Sequence, residues 1–152
     1  MNKLFHLLFF LSFGAVFAQN PNRIFEKVQL FDNRTFKITV NDGVYKIVPY
    51  NNNIIETTFT PTGEIEKTES HAVILEPKDI DISFVETANE VVLMTGEIVT
   101  KVQKSPFQIK YYHNNKLLIS EAKGYVKNDS LETIDFNIKS NEILYGGGAR
   151  VL

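Results

Sequence analysis

The chain contains no cysteine. That excludes a disulfide framework, a thiolate metal site and a lipid-modified N-terminal cysteine, so the fold rests on its own apolar core. Clustered positive charge is also missing. The 152 residues carry 16 Lys and Arg against 18 Asp and Glu, and the basic residues are scattered along the chain. Nucleic acid is therefore not expected as a partner. No apolar run reaches the roughly 20 residues that span a bilayer core. Beyond the N-terminal segment there is no long stretch with helical spacing, no internal repeat and no low-complexity tract. What is present is a globular composition, 43% hydrophobic and 22% charged.

The N-terminal segment reads as a targeting signal. Lys3 supplies a positive start, and residues 4–17 form an almost unbroken apolar run containing Leu7, Leu8, Phe9, Phe10 and Leu11. Val16-Phe17-Ala18 supplies the side chains a signal peptidase inspects, which places cleavage before Gln19. The expected organisation is a signal peptide over residues 1–18, an extension over 19–34 and one domain over 35–152. Export to the periplasm or the outside follows, with no membrane contact after cleavage. Loss of Lys3 leaves 15 basic residues against 18 acidic ones, a net charge of −3.

From Thr35 onward the pattern is that of short strands. Phe36, Ile38 and Val40 alternate with Thr35, Lys37 and Thr39, and Asn41-Asp42-Gly43 then offers a tight turn whose glycine tolerates a positive φ. Tyr45, Ile47 and Pro49 share one side of the return strand, and Asn51-Asn52-Asn53 forms the next turn before a β-branched run at residues 54–60. Ile80, Ile82 and Phe84 alternate, and Val91-Val92-Leu93-Met94 reads as a buried strand that Gly96 interrupts and Ile98 and Val99 resume. Residues 107–112 and 116–120 flank a turn at His113-Asn114-Asn115. Over residues 131–138, Ile134, Phe136 and Ile138 are expected to point inward and Asp135 and Asn137 outward. The expectation is an all-β fold, an antiparallel β-sandwich.

Reactive chemistry is not legible. Gly146-Gly147-Gly148 lacks the Lys-Ser/Thr pair of a phosphate loop, and Val151 stands where a dinucleotide turn needs a small residue. Asp79 with Asp81 and Glu64 with Glu66 are carboxylates at two-residue spacing, as solvated strand faces and loops produce. His6, His71 and His113 have no ligand partner nearby in sequence, so neither a metal nor a cofactor is expected. Tyr111, Tyr112 and Tyr125 are the residues that could stack on a sugar, against an ordinary packing role.

Three stretches, taken in order, resemble the N-terminal region of glycoside hydrolase family 31, the α-glucosidase and α-xylosidase family. The first runs from Val40 through Asn41-Asp42-Gly43-Val44-Tyr45 to Thr60-Pro61. The second is Gln103-Lys104-Ser105-Pro106-Phe107-Gln108-Ile109-Lys110-Tyr111-Tyr112 with Lys116-Leu117-Leu118-Ile119-Ser120-Glu121. The third, Tyr145-Gly146-Gly147-Gly148-Ala149-Arg150, looks like the family's Tyr-Gly-x-Gly-Glu-Arg turn, carried here by Tyr145, Gly146, Gly148 and Arg150, with Ala149 in the acidic position.

The resemblance implies a galactose-mutarotase-like sandwich, incomplete at residue 152, which in that family precedes a (β/α)8 barrel bearing both catalytic carboxylates. No position here matches those carboxylates, so no catalytic residue is assigned and the chain alone is not expected to hydrolyse glycosides. Its implied role is to support the barrel. Carbohydrate, an α-glucan or oligosaccharide, is the implied partner, with Tyr111, Tyr112, Tyr145 and Arg150 as contacts. A half-built sandwich would also expose an apolar sheet face and self-associate. Two alternatives stay open: a stand-alone secreted carbohydrate-binding module, and an unrelated structural β-protein.

Overall fold

The computed structural model describes residues 22–66, 73–128 and 130–143. The expected signal peptide, His71 and the glycine turn with Tyr145, Gly146, Gly148, Ala149 and Arg150 lie outside the described residues.

Two antiparallel sheets account for the fold, and no helix occurs among the described residues. The first sheet is a meander of β1 (Phe25–Phe31), β2 (Thr35–Val40), β3 (Gly43–Asn51) and β4 (Ile54–Pro61). The second runs through β5 (Ser83–Glu86), β6 (Glu90–Met94), β7 (Ile98–Gln103), β8 (Gln108–His113), β9 (Lys116–Lys127) and β10 (Glu132–Asn137). Every neighbour is also the next strand in sequence, which suits a chain whose turns are short. The all-β, two-sheet expectation holds.

The core forms where the alternating faces meet. Phe36, Ile38, Val40, Tyr45 and Ile47 of the first sheet pack with Val91, Leu93, Val102, Phe107 and Ile109 around the second. Tyr45 stacks on Phe107 at 5.4 Å between centroids, and Phe36 meets Phe84 edge-on at 5.6 Å.

Four details depart from the sequence reading. The segment expected to precede the domain contains β1, which pairs with β2 from Phe25↔Val40 to Phe31↔Thr35. Gly96 does not interrupt one strand; it lies in the reversal between two, since β6 pairs antiparallel with β7. Gly43 is not a positive-φ residue; it pairs with Val40 and Pro61, and a Cβ there would lie 2.4 Å from the Thr60 carbonyl oxygen and 2.5 Å from the Phe59 ring. Its small size, not its torsional freedom, is what the site needs. Positive-φ pairs instead turn two other hairpins: Asp32-Asn33, both at 51°, joining β1 to β2, and Asn114-Asn115, at 48° and 59°, joining β8 to β9.

The fourth departure is β10. Ile134, Phe136 and Ile138 are 55%, 39% and 58% exposed, whereas Asp135 and Asn137 are half-buried. Ile134 and Phe136 do face the first sheet, sharing a cleft with Tyr45 and Phe59. They stay exposed because β4, the last strand of the narrower sheet, reaches only as far as β8 and β9, where Thr57 meets Tyr111 and Phe59 meets Tyr125.

Candidate functional site

The two sheets are joined by a buried polar cluster centred on Arg23. This residue precedes β1, and its backbone neighbours are fixed by Asn41: the Ile24 amide donates to Asn41 Oδ1 and the Asn41 amide donates to the Ile24 carbonyl. The guanidinium then grips the Asp42 carboxylate through Nε and Nη2, the latter 2.6 Å from Oδ2. Its Nη2 also donates to the Tyr125 carbonyl of β9 at 2.8 Å, and Nη1 donates to the Tyr45 hydroxyl. The planar fork reaches these acceptors at once, which an ammonium could not do. Its carbon lies 4.5 Å from the Phe59 ring centroid and 5.3 Å from that of Tyr45, a cation–π contact on both.

Glu121 of β9 completes the cluster. It is buried, and the Tyr45 hydroxyl donates to its Oε2 at 3.4 Å. Burial pushes the Glu121 carboxyl up to about 7, against the opposing pull of Arg23 and the Tyr45 hydrogen bond. Burial likewise pushes the Tyr45 and Tyr111 phenols up, so both remain neutral at physiological pH. Arg23 would be lowered by burial, but the Asp42 hydrogen bond and the nearby acidic groups carry it above its ordinary value.

Gly124 makes this convergence fit. Its φ is +66°, beside the register shift of β9 against β10, and a Cβ there would lie 2.8 Å from Glu121 Oε2, 2.9 Å from the Tyr45 hydroxyl and 3.1 Å from Arg23 Nη1.

Next to the cluster lies a cleft of about 290 Å³ between β4 and the β9–β10 pair. Glu121, Tyr45 and the Thr57–Tyr111 hydroxyl pair, 2.7 Å apart, supply its polar groups, and Phe59, Tyr125, Ile119, Ile134 and Phe136 its apolar walls.

The tyrosines singled out as sugar contacts are not gathered in one place. Tyr111 points between the sheets to Thr57. Tyr112, its neighbour on the strand, points to the opposite face, where Lys101 Nζ stands 5.4 Å from its ring centroid. There it lines a groove of about 330 Å³ with Lys110, Leu117, Leu118 and Asn137. Tyr125 packs on Phe59 at 5.1 Å.

Three of the four paired carboxylates have ordinary partners. Glu64 binds Lys127, Glu66 binds Lys46 at 2.7 Å, and Asp79 binds Arg34 at 2.7 Å. His113 stands 3.3 Å from Glu97. No group of three or more His, Asp or Glu side chains suited to a metal occurs among the described residues. No described helix is long and apolar enough to cross a membrane.

Arg23, Asp42 and Glu121 were not singled out by the sequence reading. Arg23 and Asp42 are 19 residues apart and Arg23 and Tyr125 102 apart, so no local spacing brings them together.

Comparison with known proteins places these features. Residues 44–152 match the model of the glycosyl hydrolase 31 N-terminal galactose mutarotase-like domain. Over 89 residues the chain is 36% identical to Alpha-glucosidase 2 of Bacillus thermoamyloliquefaciens, an alignment covering 58% of this chain and 11% of that protein. The chain thus spans a small part of the length of the relative it matches.

Proposed function

Since the chain belongs to the glycosyl hydrolase 31 N-terminal galactose mutarotase-like domain family, we propose that it acts as the non-catalytic β-sandwich module of an exported α-glucosidase-type glycoside hydrolase. In this reading the module supports the catalytic barrel and adds a carbohydrate contact. The observation that carries it is the family match over residues 44–152, which falls on an N-terminal domain and not on a catalytic one. The similarity to an α-glucosidase supports the substrate class. The apolar run at residues 4–17 supports export.

Among the described carboxylates, Glu121 is the one whose setting bears on the non-catalytic reading. Glycoside hydrolysis uses two facing carboxyls about 5–9 Å apart across the scissile bond, one of them with a raised pKa. Glu121 has the raised pKa, yet the groups nearest it are a phenol and a guanidinium. The carbohydrate contact is assigned to Tyr112, whose ring sits in an open groove with amide and ammonium groups around it. Tyr111 is occupied by Thr57 and faces inward.

Two assays on the purified chain test this. Incubation with p-nitrophenyl α-glucoside is expected to give no product, and turnover lost in Glu121→Gln would overturn the non-catalytic role. Calorimetric titration with maltooligosaccharides is expected to give a saturable heat that Tyr112→Ala removes. Absence of heat in the wild type would remove the carbohydrate contact.

A further inference from the structure

The strand register sets two rows of side chains next to each other on the outward face of the second sheet. In one, Met94, Val99, Tyr112 and Leu117 stand opposite one another across β6 to β9. In the other, Lys101, Lys110 and Ser120 do the same across β7 to β9, and Asn137 of β10 is in register with Ser120. Side chains two residues apart on a strand share a face, so Val99 with Lys101, and Tyr112 with Lys110, belong to one surface.

The lysines of this surface have no counter-charge. The half-buried lysines among the described residues are Lys37, Lys46, Lys101, Lys104 and Lys110. Glu66 pairs with Lys37 and Lys46, and Glu86 pairs with Lys104. Lys101 and Lys110 have no carboxylate partner among the described residues, yet they stand directly opposite each other, where like charges repel. What the Lys101 ammonium does meet is the Tyr112 ring, 5.4 Å from its centroid. Two partly desolvated ammoniums held side by side make a seat for an anion.

We propose that this surface binds an acidic saccharide: a uronic acid residue whose carboxylate sits between the Lys101 and Lys110 ammoniums and whose pyranose ring lies on Tyr112 and Leu117. The inference rests on the reading of Tyr112 as the carbohydrate contact and names the class of sugar that contact takes.

The two rows select this ligand together. They are two residues apart along each strand, about 6.6 Å, and a uronic acid carries its carboxylate on a carbon bonded directly to the ring, so one sugar residue reaches both. A neutral sugar would leave the lysine pair uncompensated, and a small inorganic anion would leave Tyr112 and Leu117 uncovered. The carboxylate that lines the same groove, Glu142, accepts from the Lys139 amide at 3.0 Å and is held at its own turn. Ser120 and Asn137 lie at the far end of the polar row, where the Asn137 amide donates to Ser120 Oγ at 3.0 Å, and they offer polar contacts to ring hydroxyls.

The test is calorimetric titration of the 152-residue chain with maltotriose and with maltotriose oxidised at C6 to the uronic acid. The oxidised sugar is expected to bind about tenfold more tightly, the worth of one charge-assisted contact, and to lose that advantage in high salt. Lys101→Gln and Lys110→Gln are each expected to cut the ratio to about threefold, half of the same free energy. Neither should lower the melting temperature, because each removes one of two opposed like charges. Lys27→Gln, the same loss of charge on β1 of the other sheet, is expected to leave the ratio unchanged. If one of the two glutamine variants fails to fold by circular dichroism, the other carries the test.

Equal affinity for the two trisaccharides overturns the inference and leaves the neutral carbohydrate contact standing. A ratio that survives in both lysine variants also overturns it. So does acetate binding as tightly as the oxidised sugar, since the apolar row would then contribute nothing. Binding of neither trisaccharide removes the carbohydrate contact itself, and the inference with it.

Discussion

The Tyr45 hydroxyl of the first sheet donates to the Glu121 carboxylate of the second at 3.4 Å, and the same hydroxyl accepts from Arg23. A tyrosine that passes a hydrogen bond from a guanidinium to a carboxyl ties the two layers through three side chains from distant parts of the chain.

Stability is expected to fall as pH rises through this contact. Glu121 binds its proton more tightly folded than unfolded, moving from an ordinary 4.5 to about 7. Its contribution is therefore full below pH 4.5 and is lost as pH rises through about 7, at most about 3 kcal/mol. Thermal melts at pH 5 and pH 8 check this. Glu121→Gln should flatten the difference, and an identical slope in the variant would show that other groups set it.

Arg23→Ala should destabilise the fold by about 2–4 kcal/mol, because it leaves the Tyr125 carbonyl and the Asp42 carboxylate without their donor. Arg23→Lys should recover only a minor part, since one ammonium cannot reach Asp42, Tyr45 and Tyr125 together. Urea titration of the three proteins gives the comparison. Full recovery by lysine would mean that charge alone matters.

Gly124→Ala and Gly63→Ala separate torsion from crowding. Both glycines have positive φ, +66° and +86°, but a Cβ at Gly63 meets nothing within 4 Å whereas one at Gly124 meets Glu121, Tyr45 and Arg23. The Gly63 variant should cost about 1 kcal/mol and the Gly124 variant about 2 kcal/mol more. Equal losses in chemical denaturation would place the whole effect in the backbone.

Thr100→Val should stabilise the protein by about 1 kcal/mol. Thr100 is fully buried between Leu93 and Tyr111 of the adjoining strands, and its hydroxyl has no hydrogen-bond partner. Valine keeps the shape and removes the orphaned group. A lower melting midpoint would mean that a water or a slight rotation satisfies the hydroxyl.

Much of the fold was readable from pattern. The alternation of Phe36, Ile38 and Val40, and of Tyr45 and Ile47, set which faces are buried, because side chains on a strand alternate whatever the strand packs against. The turns at Asn52-Asn53 and Asn114-Asn115 were legible because asparagine tolerates turn torsions that most residues resist. The same rule misled at Gly43 and at Gly96, where close packing and strand reversal, not torsion or interruption, explain the glycine.

The site was far less legible. Tyr111 and Tyr112 are adjacent in sequence but face opposite sides of the sheet, so they cannot form one platform. Arg23 lay in a segment read as an extension, and it reaches Asp42, Tyr45 and Tyr125 only once the hairpin and the second sheet are in place.

Local chemistry thus settled most strands from β2 onward and the apolar faces of β2 and β3, since each depends on neighbours within a few residues. Long-range packing alone settled that Glu121 is buried beside a phenol, that Arg23 clamps two sheets, and that β4 stops short of β10. Each of these depends on how wide one sheet is relative to the other. That width follows from the count of strands in each layer, and no single stretch of residues encodes it.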